Sequence, residues 1–277
     1  MIPTFMAQER ESPCVAVIAN RDREQIETLV ALLSGAGASV IEIAPSRFET
    51  EVLPERRIDL VFLKLTTDPA NRHVFAALAR RELRFLNAVR SVELCQSRRD
   101  TFAFLRDRAL DVAAPRAFAG LVEAQRAIAE GTAVWVRRDA HNIPLERRIL
   151  GVARTSAGLD RLVDGVDPGT LFFQEFLDGD HETCKAYVVG DHVTIVRRSE
   201  VRPGVFVSEP LAVPDAVFDT IRVIGRAFGM TVYGVDFFHL GGRAVCLDIN
   251  DFPSFRGIDG GNGRIRDHAI AMLRGAR

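Results

Sequence analysis

With 277 residues, 47% of them hydrophobic, the chain can bury a core spread over two or three small subdomains and reads as an ordinary soluble globular protein. Its formal charge of -1, with no long like-charge block, argues against a nucleic-acid tail or a polybasic membrane anchor, so any anionic partner must be met locally. The longest apolar runs are strand-sized and the first dozen residues lack the basic-then-apolar order of a signal peptide, so a cytoplasmic protein is expected.

The first segment alternates strand and helix signals. CVAVIAN, an amphipathic run from Asp22 to Leu33 closed by SGAG, then ASVIEI and IDLVFLKL follow one another in a βαβ pattern. With two apolar pieces around ARRELRFLNAV they predict a small parallel α/β domain over 13–92, because parallel strands need helical crossovers. Ligands meet such a sheet at the carboxyl ends of its strands, where Arg21, Arg23 and Lys64 fall.

A second unit is expected over 93–177. It contains the helix SRRDTFAFLRDRAL, an extended connection at Pro115, the helix LVEAQRAIAEG, the strand TAVWVRR, the stretches RRILGVA and SAGLDRLVDGV, and the apolar strand TLFFQEFL. A third, over 178–277, is antiparallel: CKAYVVGDHVTIVRR turns at Gly190 and Asp191, and VYGVDFF and AVCLDIN turn at Gly241 and Gly242. The helix PDAVFDTIRVIGRAFGM lies between the two pairs, and no internal repeat interrupts the pattern.

Two details of composition bear on chemistry. Cys14, Cys95, Cys184 and Cys246 form no CxxC pair and are expected to be buried free thiols. Only two of the 36 basic residues are lysine, Lys64 and Lys185, and a lysine kept against an arginine-rich background is a functional candidate. Trp135 is expected in the core, and His73, His192, His239 and His268 lack ligand spacing.

Asp248 and Asn250 are two apart on one strand and so share a face, and Asp236 sits on the partner strand. An odd-length loop or a bulge would set the two carboxylates side by side. Like charges so placed repel, and a divalent cation removes the objection: magnesium takes one or two carboxylates and completes its shell with phosphate oxygens and water. FFQEFLDGD is an apolar strand running into a polar turn, able to offer backbone groups to an adenine edge, while Arg137 and Arg98 or Arg99 supply cations for phosphate oxygens.

In this order and spacing the chain resembles the ATP-grasp superfamily from about Asn87 to Ala271. The resemblance implies an α/β (α+β) fold in which a small parallel amino-terminal domain precedes two sheet-containing lobes that clamp ATP. It implies Mg2+ on Asp236, Asp248 and Asn250, followed by the loop DFPSFRG, and ATP at the hinge of Gln174, Glu175, Phe176 and Leu177, with Glu175 and Leu177 meeting adenine through the backbone. Arg137 and Arg98 or Arg99 would stand where the family usually has phosphate-binding lysines. Arginine keeps the charge and can grip phosphate bidentately.

Two subfamilies compete. The ribosomal-protein glutamate ligases share the metal spacing and the FPSFRGI-like loop, and join a carboxylate to an amine through an acyl phosphate. Inositol polyphosphate kinases of ATP-grasp type look similar at more points, namely LKLTTD around Lys64, CKAYVVGDHVTIVRRS around Lys185 and Arg198, and LDINDFP. That likeness implies catalytic roles for Lys185 and Arg198 and a substrate held by Lys64, Arg21, Lys185 and Ser254. RRDAHNIPLERRILG has no glycine before Gly151, unlike the glycine-rich loop of many ligases. Gly179 stands where the inositol kinases have histidine, with His181 nearby in GDHE; His181 and His141 are each lone histidines in polar segments, and Ser254 replaces a glycine. The resulting expectation is a kinase acting on a small anionic substrate, with a carboxylate-amine ligase as the alternative and a nucleotide-binding pseudoenzyme as a third reading. Neither nucleic acid nor membrane is an expected partner, and a homodimer is left open.

Overall fold

The computed structural model describes residues 12–45, 58–65, 71–139, 148–179, 181–202 and 205–275, and among these residues three sheets carry the fold. The first is parallel, in the order β2-β1-β3-β4, built from β1 (Cys14–Ala19), β2 (Ser39–Ile43), β3 (Leu60–Lys64) and β4 (Phe85–Leu86). Strand periodicity explains why CVAVIA is apolar throughout. Val15 and Val17 face one buried cluster with Ile26, Leu29 and Leu33 of α1 (Arg23–Gly35), while Ala16 and Ile18 face another with Val74 and Leu78 of α2 (Arg72–Leu78).

Asn87 then ties this domain to the last one, its Nδ2 donating to the Val232 carbonyl at 2.6 Å and its Oδ1 accepting from the amides of Thr231 and Val232 at 3.0 Å. Helix α3 (Val89–Cys95) follows. Ser97 starts α4 (Arg98–Asp107), its hydroxyl accepting from the Asp100 amide at 3.1 Å, as an N-cap serine does.

The central sheet is antiparallel, in the order β5-β8-β6-β7: β5 (Ala117–Phe118), β6 (Val134–Arg138), β7 (Ile149–Ala153) and β8 (Leu171–Glu175). Helices α5 (Leu121–Ala129) and α6 (Ser156–Val163) supply Ala124, Ile128 and Leu159 to its core.

The third sheet, in the order β11-β10-β9-β12-β13, is antiparallel: β9 (Thr183–Val189), β10 (His192–Arg202), β11 (Val205–Pro210), β12 (Val232–Leu240) and β13 (Arg243–Asp251). Helix α7 (Asp215–Phe228) lays Val217, Ile221, Ile224 and Phe228, at helical spacing, onto Ala186, Val235 and Phe237. Strand β11 and helix α8 (Gly261–Arg274) go beyond the sequence reading. Ile265, Ala269 and Leu273 of α8 share one core cluster with Val15 and Phe62 of the first sheet and with Phe252 and Phe255, so the first and last units have a common apolar floor.

Candidate functional site

Gly241 and Gly242 form a two-residue turn with φ of 55° and 78°, the left-handed conformation that a tight hairpin requires and glycine adopts freely. The loop is therefore even-numbered, and its register alone would oppose Asp236 to Leu247. A one-residue bulge next to Phe237 shifts the ladder so that Asp236 pairs with Asp248. On its other side Asp236 pairs with Lys185 of β9, so Lys185, Asp236 and Asp248 form a row across three strands.

Each carboxylate in that row already has a cation. Lys185 Nζ lies 3.0 and 2.8 Å from the two Asp236 oxygens, and Arg98 Nη2 lies 2.7 Å from Asp248 Oδ2. The repulsion expected between bare carboxylates is therefore offset within the chain itself. Asn250 donates its Nδ2 to Asp236 Oδ2 at 2.9 Å. Among the described residues no group of three or more His, Cys, Asp or Glu side chains converges. Two carboxylates and one amide suit a magnesium ion that takes its remaining ligands from phosphate and water, and not an all-protein calcium or zinc cage.

Facing Asp248 is a wall of guanidinium groups. Arg137, on β6, is buried between rings, its guanidinium carbon 4.0 Å from the Trp135 centroid and 5.2 Å from that of Phe172, and it donates to Gln174 Oε1. Burial, and next the charge of Arg98, push its pKa down to about 9. Arg148 is held below its usual value by burial and then by Arg98, with Asp248 opposing, so it shares this electrostatic environment. Among the described residues, Arg98 Nε, Arg98 Nη1 and Arg137 Nε are buried without a hydrogen-bond partner. Buried N–H donors are costly unless an acceptor arrives, and an anion such as phosphate would supply one.

Arg99 turns away from this wall and donates to the carbonyls of Gly169 and Leu171 at 3.0 and 2.7 Å. Asp139 accepts from Ser97 Oγ and from the Arg98 amide, both at 2.7 Å, which fixes the start of α4 against the end of β6. Gln174 is fully buried and serves as the acceptor that orients Arg137. The Glu175 amide donates to the Arg116 carbonyl and the Phe176 amide to that of Ala133, both at 2.8 Å, and Leu177 follows Phe176 in the connection from β8 to β9. Trp135 is half-buried and not in the core: it stacks on Arg137 and meets the Phe176 ring edge-on.

On the other side of the row lies a polar cavity of about 250 Å³, lined by Arg21, Lys185, Arg198, Asn250, Asp251 and Ser254. Arg198 Nη1 is 3.6 Å from Asp236 Oδ1. Ser254 Oγ and Arg21 Nε are buried without a partner among the described residues. Lys64, expected at the substrate, does not line this cavity; it is 1% exposed, and its ammonium holds two residues that do, lying 3.0 Å from Asp22 Oδ2 and 3.1 Å from the Phe252 carbonyl, and is bonded to Gln25. Burial pushes its pKa down to about 8. Arg23 pairs with Glu27 and Glu42 on the exposed surface. His181 lies over the Phe238 ring, 3.0 Å from where a Cβ on Gly179 would sit, and His141 with the rest of 140–147 lies outside the described residues. The four cysteines are buried and free.

Arg148, Trp135 and Gln25 were missed by the sequence reading. Arg148 sits at the start of a strand signal among several arginines, and nothing in RRILGVA distinguishes it. Trp135 and Arg137 share a strand face by their two-residue spacing, a signal that was available.

No family model matches the chain. Inositol-tetrakisphosphate 1-kinase 4 of Oryza sativa subsp. indica is 30% identical over 183 residues, which span 50% of this chain and about half, 52%, of that protein. Among solved structures, ATP-grasp ligase PsnB complexed with minimal precursor, Mg and ADP is 19% identical with a TM-score of 0.68, covering 98% of this chain and 100% of that one. A RimK domain protein from Sphaerobacter thermophilus is 17% identical with a TM-score of 0.71, covering 92% and 98%. D-alanine–D-alanine ligase from Bacillus anthracis is 12% identical with a TM-score of 0.70, covering 96% and 98%.

Proposed function

We propose that this chain, which has the ATP-grasp fold, is a Mg2+- and ATP-dependent enzyme that transfers the terminal phosphoryl group to an oxygen of a small anionic acceptor. The observation that carries the proposal is the row of Lys185, Asp236 and Asp248 facing the unpartnered N–H groups of Arg98 and Arg137. Asp236, Asp248 and Asn250 would hold the metal, whose chemistry when bound is to neutralise charge on the terminal phosphates.

Arg98 is suited to bridge two partners, because its Nη2 holds Asp248 while Nε and Nη1 remain for a phosphate oxygen. Arg137, pinned by Gln174 and two rings, would supply a second fixed donor. Lys185, Arg198 and Arg21 come from different elements to one small cavity, where they would orient the acceptor's anionic group and screen it from the nucleotide. Most of the rate enhancement would then come from positioning and charge neutralisation.

We favour a hydroxyl acceptor, and hence a kinase. The cation-lined cavity supports it, as does the likeness over 183 residues to a protein named as an inositol-tetrakisphosphate 1-kinase. A second reading is that the acceptor is a carboxylate, which forms an acyl phosphate and then meets an amine. Its support is that the solved structures with this fold named above include ligases. Among the described residues no helix is long and apolar enough to cross a membrane.

Mass spectrometry of a metabolite pool incubated with protein, ATP and Mg2+ tests the proposal. A product heavier by one phosphoryl unit supports the kinase, and a condensation product with released phosphate supports the ligase. Nucleotide binding with no ATP consumption in any pool would overturn both and leave a pseudoenzyme.

A further inference from the structure

Three side chains of the first domain hold three consecutive carbonyl oxygens of the segment that follows the metal strand. Arg21 Nη2 donates to the Asp251 carbonyl at 3.0 Å, Lys64 Nζ to that of Phe252 at 3.1 Å, and Gln25 Nε2 to that of Pro253 at 3.3 Å. The donors are cross-linked. Lys64 donates to Gln25 Oε1 and pairs with Asp22 at 3.0 Å, and Arg21 also meets both Asp251 carboxylate oxygens at 3.1 Å.

The held segment is unusual. Phe252 has φ of 52°, a left-handed conformation that a bulky side chain adopts only where its surroundings impose it, and the Lys64 ammonium lies 5.1 Å from its ring centroid. Phe252 and Gln25 are almost completely buried, so water does not replace these bonds. Asn250 precedes the segment and Ser254 follows it. A carbonyl of a left-handed residue, pulled toward the first domain by a buried ammonium, fixes the direction in which the chain leaves β13, and with it the last residues of the strand that presents Asn250.

We infer that Arg21, Lys64 and Gln25 form a comb that docks the loop Asp251, Phe252 and Pro253 onto the first domain, and that Lys64 and Gln25 are positioning residues for the metal and acceptor sites. The inference rests on the magnesium-nucleotide reading of that site. It gives the kept lysine at 64 a purpose other than substrate contact: its bonds are all made within the protein. It also gives the first domain a direct mechanical link to the nucleotide lobe, through three bonds to one short segment.

Lys64→Met and Gln25→Glu test it, the second retaining an acceptor for Lys64 while removing the donor to Pro253. Hydrogen exchange read over 250–258 needs no ligand. Exchange there is expected to speed up by about tenfold or more in both variants, with β9 and β12 unchanged, because the opening is local. Affinity for ADP without metal is expected to match the wild type, while the gain in affinity on adding Mg2+ falls about fivefold or more. Wild-type exchange over 250–258 in Gln25→Glu would overturn the comb. Faster exchange with the full Mg2+ gain retained would overturn the positioning role. If the wild type shows no Mg2+ gain, the nucleotide reading fails, and the exchange result still decides whether the comb holds the loop. If Lys64→Met does not fold, Gln25→Glu carries both readouts.

Discussion

Asp236 and Asp248 stand directly opposite each other on β12 and β13, one step out of the register that the Gly241 and Gly242 turn imposes. The bulge that makes this pairing also leaves Asp248 as the carboxylate partner of Arg98, with Arg137 and Arg148 close enough for Arg98 to depress their pKa values. Removing the Asp248 charge therefore exposes an arginine cluster to its own repulsion. Asp248→Asn is expected to lose on the order of 2 kcal/mol of stability in the ligand-free protein, less than a fully buried pair because the Asp248 side chain is 15% exposed. Denaturant unfolding of the two proteins measures it, and equal midpoints would contradict the counterion role.

Arg137 is a cation whose position is fixed by Trp135, Phe172 and Gln174, and the proposed function gives it a nucleotide phosphate to hold. Arg137→Ala is expected to raise the KM for ATP and lower kcat, together worth about 2–3 kcal/mol in kcat/KM. Arg137→Lys keeps the charge and should recover much of this, though it loses the planar stack on Trp135. Steady-state kinetics checks both, and an alanine variant with normal ATP dependence would remove Arg137 from the nucleotide site.

Burial holds the Lys64 ammonium at a pKa of about 8, below the ordinary lysine value of 10.5. Between those values the unfolded chain binds more protons than the folded one, so stability rises with pH; below about pH 8 the cost of burying the charged ammonium is present in full. Relative to Lys64→Met, the wild type is expected to gain on the order of 2 kcal/mol between pH 7 and pH 10. The difference between the proteins is the quantity to compare, because Tyr233, whose pKa burial raises to about 12, acts with the opposite sign in both. A difference that shrinks as pH rises would contradict the assignment.

Arg198 is partly exposed at the cavity, 3.6 Å from Asp236, on the side where the proposed function puts the acceptor. With the acceptor identified from the metabolite pool, Arg198→Ala should raise its KM by about tenfold and leave the KM for ATP within about twofold, as loss of one charged contact does. Equal effects on both would place Arg198 at the nucleotide instead.

How far these features can be read from the sequence depends on how local they are. The i, i+2 spacing of Asp248 and Asn250 follows from strand geometry, and the apolar runs of β9 and β12 mark them as strands, so both are legible. The residue-number sum shows that Asp236 and Asp248 need an extra residue in the hairpin, but not whether it lies in the loop or the ladder, because both solutions are chemically ordinary. Lys64, Gln25 and Arg21 meet Asp251, Phe252 and Pro253 across more than 180 residues of chain. A lysine with every bond satisfied internally has the same sequence signature as one that waits for a substrate. Helix α8 escapes notice because its start, GNGRIRDH, is rich in glycine and charge, and its apolar stripe becomes evident only against α1.

The central claim is that Asp236, Asp248 and Asn250 hold a magnesium ion against a nucleotide. Calorimetric titration of a non-hydrolysable ATP analogue, with and without Mg2+, into the wild type and Asp248→Asn tests it most directly. Mg2+ is expected to tighten binding to the wild type by about tenfold or more and to leave the variant unchanged, since the ion loses a charged ligand. Equal affinity with and without Mg2+ in the wild type, or an undiminished Mg2+ effect in Asp248→Asn, would contradict the account.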